Sequence, residues 1–131
     1  MFGEGEPKGK FVRYLIESLL QGEKAICKNP DLVRDYLYVG EVAKALKAVL
    51  ESDFEGAINV ALGEPLNVGN LANKVGELIG KAELIELGKS PNSNEPKFIV
   101  ANTKKFVEEI GYKFEMNLSE NLERFIGSFN A

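Results

Sequence analysis

The chain has 131 residues, 44% of them hydrophobic, which suits one domain spanning residues 1–131 with a core of its own and argues against disorder. Its net charge is −4 with no offsetting basic stripe, which argues against a general nucleic-acid binder. Histidine is absent and Cys27 is the single cysteine, so His-based acid catalysis, His-ligated metals, a structural zinc site and an internal disulfide are all excluded. No apolar run approaches ~18 residues, so no membrane partner is expected. Without a disulfide framework, and with an opening of Gly, Glu and Pro unlike a signal peptide, the chain is expected to be cytoplasmic.

Residues 1–9 are glycine-rich and polar and read as a loop. From Lys10 the pattern turns helical: Phe11, Leu15 and Leu19 form one stripe, Val12, Ile16 and Leu20 the next, and Gly22 is the stop. Ala25 to Cys27 is a short apolar run of strand type, and Asn29-Pro30-Asp31 has turn chemistry. Val33 to Val39 reads as extended chain. A second helix is expected from about Glu41 to Leu50 with Val42, Leu46 and Val49 inward. Ala57 to Val60 reads as a strand that Gly63-Glu64-Pro65 breaks. Asn67 is placed to cap a third helix with the stripe Leu71, Val75, Leu78 and Ile79, ended by Gly80. Glu83 to Leu87 is a weaker strand signal, followed by a polar loop from Gly88 to Pro96. Asn102 can cap a helix over Thr103 to Ile110, stopped by Gly111. Asn117 and Glu120 have capping-box spacing at the head of a last helix running to Phe125 or Ser128. The class is α/β: a small mixed lobe of about five helices with short strands, and no Rossmann domain.

Four segments, in this order, carry a family resemblance. Phe2-Gly3-Glu4-Gly5-Glu6 is similar to a Tyr-Gly-Pro-Gly-Glu loop. Arg34-Asp35-Tyr36-Leu37-Tyr38-Val39 is close to an Arg-Asp-Tyr/Phe-x-Tyr/His-Val block. Ile58-Asn59-Val60 with Gly63 resembles a Phe-Asn-Val/Ile-Gly-x-Gly turn, and Ile110-Gly111-Tyr112 with the Leu118 to Leu122 helix resembles Leu-Gly-Trp with Leu-x-Glu-x-Leu. Together they resemble the second half of the extended short-chain dehydrogenase/reductases, the NAD(P)-dependent nucleotide-sugar epimerases and dehydratases. The chain departs from that pattern at Glu4, where the family has Pro, and at Ala61, where it has the first Gly.

The resemblance implies a C-terminal, substrate-binding lobe whose Rossmann half lies upstream. The family's cofactor turn needs closely spaced glycines after a strand; Gly3, Gly5 and Gly9 are wrongly spaced and follow none. The family's catalytic Tyr-x-x-x-Lys is also missing: Tyr14, Tyr36, Tyr38 and Tyr112 meet Ser18, Gly40, Val42 and Met116 at that spacing. No catalytic, cofactor-binding or metal-binding residue is therefore expected in this chain, and NAD or NADP is expected in the parent protein.

Arg34 is the first candidate for a ligand contact. The resemblance implies that it binds the diphosphate, and a planar guanidinium can give two parallel bonds to phosphate oxygens. The alternative is a surface Arg paired with Asp31 or Asp35. Tyr36, two residues on, shares its strand face and either packs on the ribose or joins the core. Tyr38 is expected in the core, and Asp35, on the other face, in a structural role. The resemblance places Ala25 and Cys27 where the backbone contacts the base. In the Lys89 to Lys97 loop, where family members carry Arg-Pro-Gly-Asp, Asn92 falls at the Arg position and Glu95 at the Asp position. Glu95 can accept ribose hydroxyls, and Lys89 can supply the charge Asn92 lacks; the alternative is a solvated polar loop. The expected ligand is a UDP-, dTDP-, GDP- or CDP-linked sugar. Two other readings stay open: a stand-alone, non-catalytic binding module of the same fold, and a lobe of a nucleotide-sugar reductase. The strand at Ile58 to Val60 is implied to join the upstream sheet, so the chain alone is expected to dimerise there or fold the strand back.

Overall fold

A computed structural model describes residues 1–89, 94–115 and 117–130. Helix α1 (Phe11–Leu20) leads into strand β1 (Ala25–Cys27), β2 (Val33–Arg34) and helix α2 (Val39–Leu50). Strand β3 (Leu66–Asn67) runs into α3 (Val68–Ile79), and a 3-10 turn (Ala82–Leu84) precedes β4 (Ile85–Leu87). Strand β5 (Phe98–Ile99) and helices α4 (Lys104–Ile110) and α5 (Leu118–Ser128) complete the α/β lobe.

The core lies between α1, α3 and α5. Val12, Leu15, Ile16 and Leu19 of α1 bury against Leu71, Ala72 and Val75 of α3 and Leu122 and Phe125 of α5. Each of the Val, Leu, Ile and Phe side chains contributes about 1.5–3 kcal/mol of burial free energy. Two Asn caps set helix starts: Asn67 Oδ1 accepts from Asn70 N at 2.9 Å, and Asn117 Oδ1 from Glu120 N at 3.1 Å. Helix α3 ends at Gly80, whose φ of 73° is the left-handed conformation that glycine takes without a Cβ penalty. A smaller aromatic group closes the α4 end: Phe106 stacks on Phe114 at 5.5 Å, and Tyr112 stands edge-on to both.

Two small sheets frame the lobe. In one, β1 runs parallel to β4 with Ala25 opposite Ile85 and Cys27 opposite Leu87. In the other, β2 lies between antiparallel β3 and parallel β5, with Arg34 opposite Leu66 and Ile99. Neither β3 nor β5 stands out in the sequence, because each is only two residues long.

Three expectations are corrected. Residues 57–60 form no strand. Their groups are taken instead by the α4 region: Lys105 Nζ donates to Ala57 O at 2.8 Å and Asn59 Nδ2 to Asn102 O at 3.3 Å. The extended stretch predicted over Val33 to Val39 is a strand only at Val33–Arg34, then an isolated bridge between Phe2 and Tyr38, and Val39 already opens α2. Helix α2 turns Glu41 and Ala45 inward, not Leu46, which is 49% exposed; Val42 and Val49 are half-buried and Leu50 is 86% exposed.

Candidate functional site

An open cleft of about 560 Å³ lies over β1, the end of β2 and the starts of α1 and α3, and its lining includes Arg34, Tyr36, Cys27 and Glu95. These four sequence candidates come together although Cys27 and Glu95 are far apart in the chain. The parallel pairing of β1 with β4 turns Ala25 and Cys27 to the buried side and leaves Ile26 outward. Ala25 lies beneath the cleft and is not part of its lining. Burial pushes the Cys27 thiol up, so it behaves as a small apolar group in the cleft floor. The β1 backbone is fixed from the side by Tyr14, whose hydroxyl accepts from Ile26 N at 2.9 Å.

Arg34 is held by backbone before any ligand is considered. Its Nη1 donates to Val33 O at 2.9 Å and Lys97 O at 3.5 Å, while Nη2 meets Glu95 Oε2 at 3.4 Å. The Lys97 carbonyl also accepts from Val33 N at 2.8 Å, which ties the 95–97 segment to β2. Asp35, the residue that follows β2, points elsewhere. Its carboxylate accepts from Leu62 N at 3.2 Å, Gly63 N at 2.8 Å and Ala101 N at 3.3 Å.

Tyr36 is half-buried in the cleft wall, and burial pushes its phenol up to about 12 against the pull of nearby Arg34. Tyr38 is core, as expected. Its hydroxyl donates to the Glu4 carboxylate, 2.7 and 2.9 Å from its two oxygens, and burial together with Glu4 pushes that phenol up to about 12. Lys89 is exposed and does not line the cleft. Asn92 lies outside the described residues.

The walls were not read from the sequence. Phe11, Tyr14, Ile26, Leu32 and Val68 make one side of the cleft apolar, and Lys28 and Asn29 bring polar groups to it. Phe11 looked like one more member of the α1 stripe, and nothing local distinguishes a wall residue from a core one. A second cavity of about 380 Å³ is lined by residues of the 1–7 loop with Lys10 and Val39. Gly3 is required there: its φ is 138°, and a Cβ would stand 2.4 Å from Val39 Cγ1.

The described residues do not form a glycine-turn cradle of the dinucleotide-binding type. Among the described residues, α1 follows an irregular loop and α2 follows Tyr38; α3 follows β3 with a single glycine, Gly69, in its first turn. A pyrophosphate cradle of the Gly-x-Gly-x-x-Gly type needs a strand, that turn and a helix in succession.

Fold and cleft together define an α/β lobe with a largely apolar groove that carries the charges of Lys28, Arg34 and Glu95 and is sized for a small ligand. The profile of the NAD dependent epimerase/dehydratase family matches residues 1–69, and the chain belongs to that family. A Methanocaldococcus jannaschii protein provisionally named a UDP-glucose 4-epimerase is 30% identical over 96% of this chain and 42% of its own length. The CDP-abequose synthase of Salmonella typhimurium is 24% identical over 96% of the chain and 44% of its own length. Among solved structures, the UDP-N-acetylglucosamine 4-epimerase of Methanobrevibacter ruminantium, in complex with UDP-N-acetylmuramic acid, superposes with a TM-score of 0.85 at 25% identity, covering 98% of this chain and 43% of that one. The chain thus spans less than half the length of the relatives it matches.

Proposed function

We propose that this chain is the C-terminal, substrate-binding lobe of a cytoplasmic nucleotide-sugar epimerase or dehydratase, and that it holds the nucleoside diphosphate while a Rossmann lobe outside the chain binds NAD or NADP and carries out hydride transfer. The observation that carries this reading is the convergence of Arg34, Tyr36, Cys27 and Glu95 on one cleft. Arg34 supplies the diphosphate contact, Tyr36 packs on the ribose, and the apolar wall of Phe11, Ile26, Leu32 and Val68 receives the base. The related proteins are named for UDP- and CDP-linked sugars, so the proposed ligand class is their shared chemistry, a nucleoside diphosphate joined to a sugar. Positioning is the lobe's contribution: a sugar held in a near-attack pose reacts with much of the entropic cost already met.

The uncovered apolar stripe of α2 favours a lobe with a missing neighbour over a stand-alone module. Leu46 and Leu50 lie on a face that the described residues leave open.

Calorimetry with UDP on the wild type and on Arg34→Ala tests the assignment. The substitution is expected to remove about 1.5–3 kcal/mol of binding free energy, the range for a charge-assisted hydrogen bond. Equal affinity in the two proteins would return Arg34 to a surface ion-pair role. The chain alone is expected to show no turnover of nucleotide sugars with NAD or NADP, and turnover above background would overturn the two-lobe reading.

A further inference from the structure

The contacts of Arg34 divide into two kinds. Val33 O, at 2.9 Å, is a backbone acceptor within β2, and Lys97 O, at 3.5 Å, is a backbone acceptor just ahead of β5. Glu95 is different: its side chain is 60% exposed, it sits at 3.4 Å, and it also lines the cleft. That distance exceeds the ~2.7–2.9 Å of a tight charge-assisted bond. A pair this exposed is worth little, so a ligand can displace it.

We infer that Glu95 is an internal competitor for Arg34, and that the exchange it enforces makes Glu95 a specificity-determining residue of the cleft. The inference rests on the diphosphate reading of Arg34. A phosphate that takes the guanidinium must first release the Glu95 carboxylate. A diphosphate offers more charge and a bidentate fit than a singly charged anion, and so displaces the carboxylate more readily. The released carboxylate is left beside the phosphates, where it repels them. That repulsion is offset only if the ligand also brings hydroxyl donors, because an ionised carboxylate is acceptor-only. A nucleoside diphosphate carries a ribose diol next to its phosphates; inorganic pyrophosphate does not. The same residue therefore lowers affinity for bare phosphates and restores it for nucleotides. The Lys97 carbonyl, two residues along, is fixed to β2 by Val33 N at 2.8 Å, whereas the Glu95 side chain is exposed.

The test is a titration of the ¹⁵N-labelled chain, wild type and Glu95→Gln, with inorganic pyrophosphate and with UDP, followed by amide shifts into the millimolar range. Glu95→Gln keeps the size and removes the charge. Pyrophosphate affinity is expected to rise about two- to five-fold, the range set by the worth of an exposed ion pair. The preference for UDP over pyrophosphate is expected to fall. Glu95→Ala, which also removes the hydroxyl acceptor, should lower that preference further. An unchanged preference, weaker pyrophosphate binding in Glu95→Gln, or no pyrophosphate binding by either protein would overturn the competition. If the wild type fails to bind UDP, the diphosphate reading itself falls, and the two failures are distinguished by that arm alone.

Discussion

At Asp35 one carboxylate accepts three backbone N–H groups from two distant stretches, Leu62 and Gly63 on one side and Ala101 on the other. It fastens the chain on both sides of β2, and so steadies the strand end from which Arg34 projects. Asp35→Ala leaves those donors without their acceptor, and a loss of about 2–4 kcal/mol is expected in urea unfolding. Asp35→Asn should lose less, since one amide oxygen still accepts. The Tyr36 and Tyr38 phenols, each pushed to about 12, give a second prediction. In the unfolded chain they ionise near 10. The folded state holds their protons longer, so their contribution is full below pH ~10 and is lost as pH climbs toward ~12. Stability followed through this window should fall, and the fall should be shallower in Tyr36→Phe and Tyr38→Phe. At this scale a family motif, which is a local signal, singles out Arg34, Tyr36 and Glu95, and the fold brings all three to one cleft. The partners of Asp35 were not legible: they lie 27 to 66 positions away.

Among the elements, α1, α3, α5 and β1 fall where periodicity and caps put them. Caps are read well because the side chain and the N–H it serves are three residues apart. Asn67→Ala and Asn117→Ala are each expected to cost about 1 kcal/mol in chemical denaturation. Leu71→Ala, in the middle of the α1–α3–α5 packing, should cost about 2–5 kcal/mol. Where the reading went astray, the cause is the same in each case: a pattern shows that a face is apolar but not what covers it. Val42, Leu46 and Val49 make a sound helical stripe, yet the lobe packs on Glu41 and Ala45. Buried Glu41 is tolerated because Lys44 donates to it at 2.7 Å and the Tyr112 hydroxyl lies at 3.3 Å. Residues 57–60 have strand composition without a strand partner, so the α4 region takes their polar groups instead.

For the whole molecule, these two departures concern one consequence. The α2 stripe with Leu46 and Leu50 is open to solvent, and residues 57–60 have strand character without a ladder. Ile58 and Val60 are half-buried, so the segment has partly sheltered its side chains, but among the described residues it pairs with no strand. Of the two outcomes expected for this segment, a folded-back pairing is absent among the described residues. The other is association. An uncovered apolar helix face favours self-contact, and strand-type chain with open backbone groups invites a second copy. The chain by itself is therefore expected to dimerise through α2 and the 57–60 segment, with sedimentation coefficients that rise with concentration. Leu46→Glu combined with Leu50→Glu should abolish that rise. Both side chains are already exposed, so the fold should survive, and an unchanged far-UV spectrum and melting temperature would verify this. On the proposed two-lobe reading, a Rossmann lobe joined to the chain should suppress the association in the same way, because it would cover the same stripe. A wild-type chain that sediments as a monomer at every concentration would show that the stripe needs no cover, and would remove its support for the two-lobe reading.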